Sequence, residues 1–214
     1  MTGFASVILD VDSTLCGIEG IDWLAERRGP VVGEQVIALT ERAMRGEIAL
    51  DSVYGERLAL VRPRRDEVDA LANAYVASLA PGAAEAIGRL RAAGRRVVVV
   101  SGGAREAILP VARFVGIDER DVHAVAVHCD ANGAYTGFES ASPLATAVGK
   151  RAVAASLGLP SRVLAMGDGA TDLAMRPAID AFAAFTLFVH RDSVVSAADY
   201  VFESFSQLVE IVLA

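Results

Sequence analysis

Three short apolar runs, each stopped by an acidic or glycine-rich cluster, constrain this chain more than any other feature. Phe4-Ala5-Ser6-Val7-Ile8-Leu9 ends at Asp10-Val11-Asp12, Arg96 to Val100 ends at Ser101-Gly102-Gly103, and Arg162 to Met166 ends at Gly167-Asp168-Gly169. Apolar on both faces and carrying β-branched residues, each run predicts a buried strand of a parallel sheet. Helical spacing over Ala83 to Ala93, Arg105 to Val115 and Ala145 to Leu157 fills the intervals, with Gly94, Gly116 and Gly158 where helix stops are expected. Strands alternating with helices predict an α/β fold, a doubly wound parallel sheet with right-handed crossovers.

The stretch between the first strand and Pro81-Gly82 has a different texture. Glu19 to Arg28, Val32 to Arg45, Asp51 to Val61 and Arg65 to Leu79 have helical spacing and frequent charges, punctuated by Gly29-Pro30, Gly46 and Arg62-Pro63. Residues 17–80 therefore read as a helical insertion, a cap over the carboxyl end of the first strand, and residues 1–16 with 81–214 as the α/β core. Asp130-Ala131-Asn132-Gly133, between two β-like runs, predicts a hairpin over Val122 to Phe138.

Composition narrows the function classes. The chain of 214 residues is 53% hydrophobic, enough for one substantial core with a modest appendage. A net charge of −7 argues against nucleic acid or an anionic membrane surface as the main partner, while leaving room for a small anionic substrate in a locally positive site. Cys16 and Cys129 are the two cysteines, too few for a disulfide framework, which points to a reducing compartment. Met1-Thr2-Gly3-Phe4 carries no basic start, and apolar stretches such as Ala181 to Val189 fall short of the roughly 20 residues of a spanning helix. The expectation is a soluble cytoplasmic protein.

In an open α/β sheet the carboxyl ends of the strands converge on one crevice, which would gather Asp10, Asp12, Ser101, Gly102, Asp168 and Asp172. Lys150 joins them at the start of the helix preceding the third strand. Four carboxylates close together repel unless a cation neutralises some of them, and hard oxygen ligands suit Mg²⁺. Asp10 and Asp12 are two apart, so on extended backbone both side chains point the same way. One can then attack phosphorus while the other handles a proton. Taken singly, each piece has a plainer reading: the acidic pair as a helix cap, Ser101-Gly102-Gly103 and Gly167-Asp168-Gly169 as turns, Lys150 as a surface lysine. Their order, strand-end placement and mutual chemical need together favour a catalytic site.

Asp10-Val11-Asp12-Ser13-Thr14, Ser101, Lys150 and Gly167-Asp168-Gly169-Ala170-Thr171-Asp172 resemble, in order, the four motifs of the haloacid dehalogenase-like superfamily. Glu19-Gly20-Ile21-Asp22-Trp23-Leu24-Ala25, Thr40-Glu41-Arg42-Ala43-Met44-Arg45-Gly46 and Glu56-Arg57-Leu58-Ala59-Leu60-Val61-Arg62-Pro63 are similar to the phosphoserine phosphatase family. The resemblance implies a Rossmann-like core, Mg²⁺ dependence and an aspartyl-phosphate intermediate. It implies Asp10 as nucleophile, Asp12 as proton donor and acceptor, and a metal site from Asp10, the Asp12 main-chain carbonyl, Asp168 and Asp172. Ser101, Gly102, Lys150 and Thr171 would grip the phosphate, Glu19 the ammonium and Arg57 the carboxylate of a phosphorylated amino acid, with Met44 bordering it. The implied reaction is release of serine and phosphate from phosphoserine. The alternative is a phosphatase or phosphotransferase of the same superfamily acting on another small phosphorylated metabolite.

Leu50 and Ala104 stand where the family often has aromatic residues, and Ala183 to Arg191 does not match the usual glycine-rich continuation. His123, His128 and Cys129 lack a second pair of ligands for a soft-metal site and read as hairpin residues. Trp23 reads as cap core. A receiver domain that stores phosphate on an aspartate fits poorly, because its acceptor lies on a later strand, where this chain has Ser101.

Overall fold

A computed structural model describes residues 3–44, 48 and 50–214, without the side chains at positions 40, 41, 43, 44, 50 and 51. The chain runs β1 (Ser6–Leu9), α1 (Gly20–Glu26), α2 (Pro30–Met44), α3 (Leu50–Val61), α4 (Arg65–Ala77), α5 (Ala83–Ala92), β2 (Arg96–Ala104) and α6 (Arg105–Phe114). It continues through β3 (Val122–Val125), β4 (Val127–Cys129), β5 (Tyr135–Phe138), α7 (Gly149–Ser156), β6 (Val163–Gly167) and α8 (Ala170–Leu173). The last elements are β7 (Ala181–Phe185), α9 (Asp192–Val195), β8 (Tyr200–Phe202) and α10 (Phe205–Leu213).

The main sheet has the order β3-β2-β1-β6-β7-β8, and every neighbouring pair is parallel. Its strands are apolar on both faces because both faces are covered. Val7, Leu9, Val97, Val99 and Leu164 pack on one side with Ile87 and Leu90 of α5 and Phe205, Leu208 and Val212 of α10. Ile8, Val98, Val100, Ala165 and Phe182 pack on the other with Leu144 and Ala154. Burying each such large side chain stabilises the fold by about 1.5–3 kcal/mol. β1 lies between β2 and β6, and Leu9 pairs with Val99 on one side and Met166 on the other. The three strands are therefore in step where β1 ends, although β2 runs on to Ala104, so Asp10, Ser101 and Asp168 emerge along one edge, where strand order reverses about β1 and α/β sheets bind ligands.

Helices α1 to α4 leave and rejoin the core through two passages that run side by side. Gly17 N donates to Ser78 O at 2.8 Å, Ala80 N donates to Leu15 O at 2.9 Å, and Cys16 bridges to Leu79. Val68, Leu71, Ala72 and Tyr75 form a buried stripe at helical spacing on α4, which packs along α6. No strand interrupts residues 17–78 among those described. Trp23 packs partly buried against the same core, as expected.

Some boundaries differ from expectation. The strand predicted over Arg96 to Val100 stays extended through Ser101-Gly102-Gly103, because Ala104 still pairs with Val125 after a register shift. The hairpin predicted over Val122 to Phe138 divides in two. Val122–Val125 joins the main sheet beside β2, and only β4 and β5 form the hairpin, closed by Asp130 Oδ1 accepting from Asn132 N and Ala134 N at 2.8 Å each. The helix expected from Ala145 starts at Gly149. Residues 143–149 first double back through a 3₁₀ turn, so tightly that a Cβ on Gly149 would stand 1.7 Å from Pro143 O. The end of the helix predicted over Val32 to Arg45 lies outside the described residues, as does the Leu50 side chain. No helix among the described residues is long and apolar enough to cross a membrane.

Candidate active site

This edge of the sheet opens into a cavity of about 550 Å³ lined by Asp10, Asp12, Gly102, Lys150, Asp168 and Asp172. The helices between Cys16 and Leu79 supply its other wall, including Glu19, Arg57 and Tyr75. Asp10 follows β1, Asp168 follows β6 and Asp172 lies on α8, and one carboxylate oxygen of each comes within 4.8 Å of the others. All three are buried. Gly167 permits this approach, since a Cβ there would stand 2.2 Å from the Asp172 carboxyl carbon.

Lys150 is the counter-charge inside the cluster. Its Nζ lies 2.7 Å from Asp10 Oδ1 and donates a hydrogen bond to Asp172 Oδ1 at 2.7 Å. Burial pulls the Lys150 ammonium down, but Asp10 and Asp172 more than offset this and hold it above its ordinary range. Asp172 is pushed up to about 7 by burial and by Asp10, against the pull of Lys150 and the Gly169 amide. On the far side, Arg191 pairs with the Asp168 carboxylate and donates to its main-chain oxygen at 3.3 Å. Thr14 Oγ1 donates to Asp168 Oδ1 at 3.4 Å.

Asp12 lines the same cavity but is hydrogen-bonded to the helical insertion rather than to this cluster. Its Oδ1 accepts from Gly20 N at 2.6 Å and from the Tyr75 hydroxyl at 2.7 Å. Burial, then Glu19 and Asp10, push its carboxyl up to about 7, against the lowering effect of those two hydrogen bonds. A carboxyl near 7 can both give and take a proton at neutral pH. Between Asp12 and Glu19 the chain turns at Ser13, whose φ of 51° is rare for a non-glycine residue. The Ser13 hydroxyl donates to Glu19 Oε1 at 2.6 Å and holds that turn.

Comparison with known proteins gives the family. Residues 7–176 match the family model of the haloacid dehalogenase-like hydrolases. The chain is 36% identical to the phosphoserine phosphatase of Rattus norvegicus over 206 residues, which cover 95% of this chain and 91% of that protein. The chain belongs to the haloacid dehalogenase-like hydrolases, in the phosphoserine phosphatase family. Among solved structures, a phosphoserine phosphohydrolase-like protein from Francisella tularensis superposes with a TM-score of 0.85 over 98% of this chain and 100% of that one, at 24% identity, a likeness of fold. A phospho-aspartyl intermediate analogue of phosphoserine phosphatase superposes with a TM-score of 0.78 at 25% identity, over 97% of this chain and 98% of that one.

The hydrolase's cavity gathers nearly all the residues singled out from the sequence. Asp10, Asp12, Glu19, Arg57, Gly102, Lys150, Asp168, Thr171 and Asp172 line it. Arg57, on α3, lies near enough to Asp22 and Tyr54 for its charge to oppose the effect of their burial. Ser101 is fully buried beside Gly102, its Oγ accepting from Gly103 N at 3.0 Å. The Met44 side chain lies outside the described residues. His123, His128 and Cys129 belong to β3 and β4, and among the described residues the one cluster able to hold a metal is Asp10, Asp168 and Asp172. Sequence reading missed Tyr75 and Arg191. A lone tyrosine in the otherwise aliphatic stripe of α4 was the available signal for the first, since a buried hydroxyl needs a partner. Arg191 carried no such signal.

The donor set fits a hard divalent cation. Three carboxylates converge with no nitrogen or sulfur ligand among them, and the neighbouring cations, Lys150 and Arg191, leave one of their three negative charges uncompensated.

Proposed function

We propose that this hydrolase releases serine and phosphate from phosphoserine through an acyl phosphate on Asp10. The observation that carries the reading is Lys150 Nζ, held 2.7 Å from both Asp10 and Asp172 in a cavity that Glu19 and Arg57 also line. A lysine there neutralises a phosphoryl oxygen beside the attacking carboxylate, and the opposite wall offers one carboxylate and one guanidinium to an amino acid. The kinship with phosphoserine phosphatases at 36% identity supports the same substrate.

In the first step an Asp10 oxygen attacks phosphorus in line. The bond from phosphorus to the serine oxygen breaks, and Asp12 gives that oxygen its proton. In the second, the Asp12 carboxylate takes a proton from the water that attacks phosphorus, freeing phosphate and the Asp10 carboxylate. Lys150, the Gly102 amide and the Ser101 hydroxyl hold the phosphoryl oxygens, with Thr171 at the cavity rim. Glu19 pairs with the substrate ammonium and Arg57 with its carboxylate by a two-pronged charge-assisted bond. Mg²⁺ would be held by the Asp10 carboxylate, the Asp12 main-chain carbonyl and Asp168, with Asp172 beside them. Bound there it supplies positive charge to a phosphoryl group on which charge is spread. Residues 17–80 act as a cap that excludes water during the first step. We place the protein in the cytoplasm.

Phosphate release from phosphoserine, phosphothreonine and simple phosphate esters, each with Mg²⁺ and with chelator, tests the reading. Phosphoserine is expected to be the best substrate and chelator to stop turnover. Equal rates on all esters would remove the amino-acid assignment, and full activity in chelator would remove the metal.

A further inference from the structure

Two donors from the helical insertion converge on a single oxygen of a single core carboxyl. Gly20 N, at the start of α1, and the Tyr75 hydroxyl, near the end of α4, both reach Asp12 Oδ1, at 2.6 and 2.7 Å. Among the described residues no donor reaches Oδ2. That oxygen lies beside Gly103, where a Cβ would stand 3.1 Å away, and both Asp12 and Gly103 line the cavity. Tyr75 is wholly buried, so its hydroxyl has no water to turn to.

The two oxygens are thereby made different. A backbone N–H can only donate, so Gly20 makes Oδ1 an obligate acceptor, and a proton on Oδ1 would face that N–H head-on. The Tyr75 hydroxyl adds a second donor from another direction and fixes the rotation of the carboxyl about Cβ–Cγ.

We propose that Tyr75 is a positioning residue for this reaction: with the Gly20 amide it locks Asp12 Oδ1 as an acceptor and turns Oδ2, carrying the transferable proton, toward the leaving oxygen of the substrate. Tyr75 touches neither substrate nor phosphate. It acts through Asp12 alone, and it makes the aim of the core acid depend on where α4 of the insertion sits. The inference rests on the reading of Asp12 as proton donor. The transfer balances as before: the proton leaves Oδ2 for the serine oxygen as the bond from that oxygen to phosphorus breaks and the bond from Asp10 to phosphorus forms.

The test compares two leaving groups. A serine alkoxide needs a proton to depart, whereas the phenolate of p-nitrophenyl phosphate does not. Formation of the acid-stable phosphoenzyme is measured by rapid quench for the wild type and Tyr75→Phe, with each ester, in saturating Mg²⁺. For Tyr75→Phe the rate from phosphoserine is expected to fall about 10–100-fold, within the range that positioned proton transfer contributes. The rate from p-nitrophenyl phosphate should stay within about twofold, and the KM for phosphoserine should hold. Equal losses on both esters would mean that Tyr75 is only structural, and no loss on either would mean that the hydroxyl is idle; each result overturns the proposal. If Tyr75→Phe does not fold, Gly20→Ala gives the same reading, because its Cβ would stand 2.1 Å from the Tyr75 hydroxyl oxygen and displace it. A wild type that forms no phosphoenzyme from either ester would instead overturn the phospho-aspartate reading itself.

Discussion

Asp12→Asn keeps the shape of the side chain and both of its hydrogen bonds while removing its charge and its proton. Asparagine can still accept from Gly20 N and the Tyr75 hydroxyl through its carbonyl oxygen. What disappears is a carboxyl whose pKa rises from 3.8 to about 7 on folding, through burial and the charges of Glu19 and Asp10. Because the folded-state value is raised, the native protein binds the extra proton between pH 4 and 7, and stability falls as pH climbs through that window. Above pH 7 the whole penalty is present, about 4 kcal/mol at ~1.4 kcal/mol per pH unit. Asp12 retains contact with the water of the cavity, so that figure is a ceiling, and about 2–4 kcal/mol is expected. For a chain of this size the Tm of Asp12→Asn should exceed the wild type's by about 5–10 °C at pH 8 in chelator. The gap should close as the pH is lowered to 4. Turnover of phosphoserine should fall at least about 100-fold in the same variant, for want of a proton donor. Thermal scans at pH 4, 6 and 8 beside a phosphate-release assay measure both. A variant at pH 8 no more stable than the wild type would refute the electrostatic reasoning, and retained activity would refute the role of Asp12.

Lys150→Met leaves Asp10 and Asp172 buried without their cation, which should destabilise the protein by about 3–5 kcal/mol in chelator, with part recovered on adding Mg²⁺; differential scanning fluorimetry reads both. Arg57→Ala should lower kcat/KM for phosphoserine about 10–100-fold through loss of a charged hydrogen bond, and much less for phosphoethanolamine, which has no carboxylate; equal losses would contradict its assigned partner. Gly167→Ala puts a methyl group 2.2 Å from the Asp172 carboxyl carbon, so isothermal titration should show weakened Mg²⁺ binding alongside a lower Tm.

The sequence carried the parts of the fold that repeat a simple pattern. β1, β2 and β6 were legible because β-branched residues on both faces end at polar clusters. β7 was not, since Ala181-Phe182-Ala183-Ala184-Phe185 has the apolarity of a central strand without its β-branching. β3 reads as β from its sequence but joins the main sheet rather than the hairpin because β2 offers it an edge, and β8, at three residues, is too short for periodicity to speak. The start of α7 was misplaced because apolar spacing runs on through a turn made by Pro143 and Gly149. Within the site, residues held by one strand end were read directly from that strand. Tyr75 and Arg191 act across elements far apart in the chain, and no local pattern announces a hydrogen bond from α4 to Asp12 or an ion pair from the segment after β7 to Asp168.

The central claim is that phosphate passes through Asp10. Wild-type protein mixed with phosphoserine and Mg²⁺, quenched in acid within one turnover and reduced with borohydride, converts an acyl phosphate to an alcohol that peptide mass mapping locates. Reduction at position 10 and nowhere else, absent when Asp10→Asn is treated alike, is the predicted result. Phosphate found on another side chain, or turnover by Asp10→Asn at the wild-type rate, would contradict it.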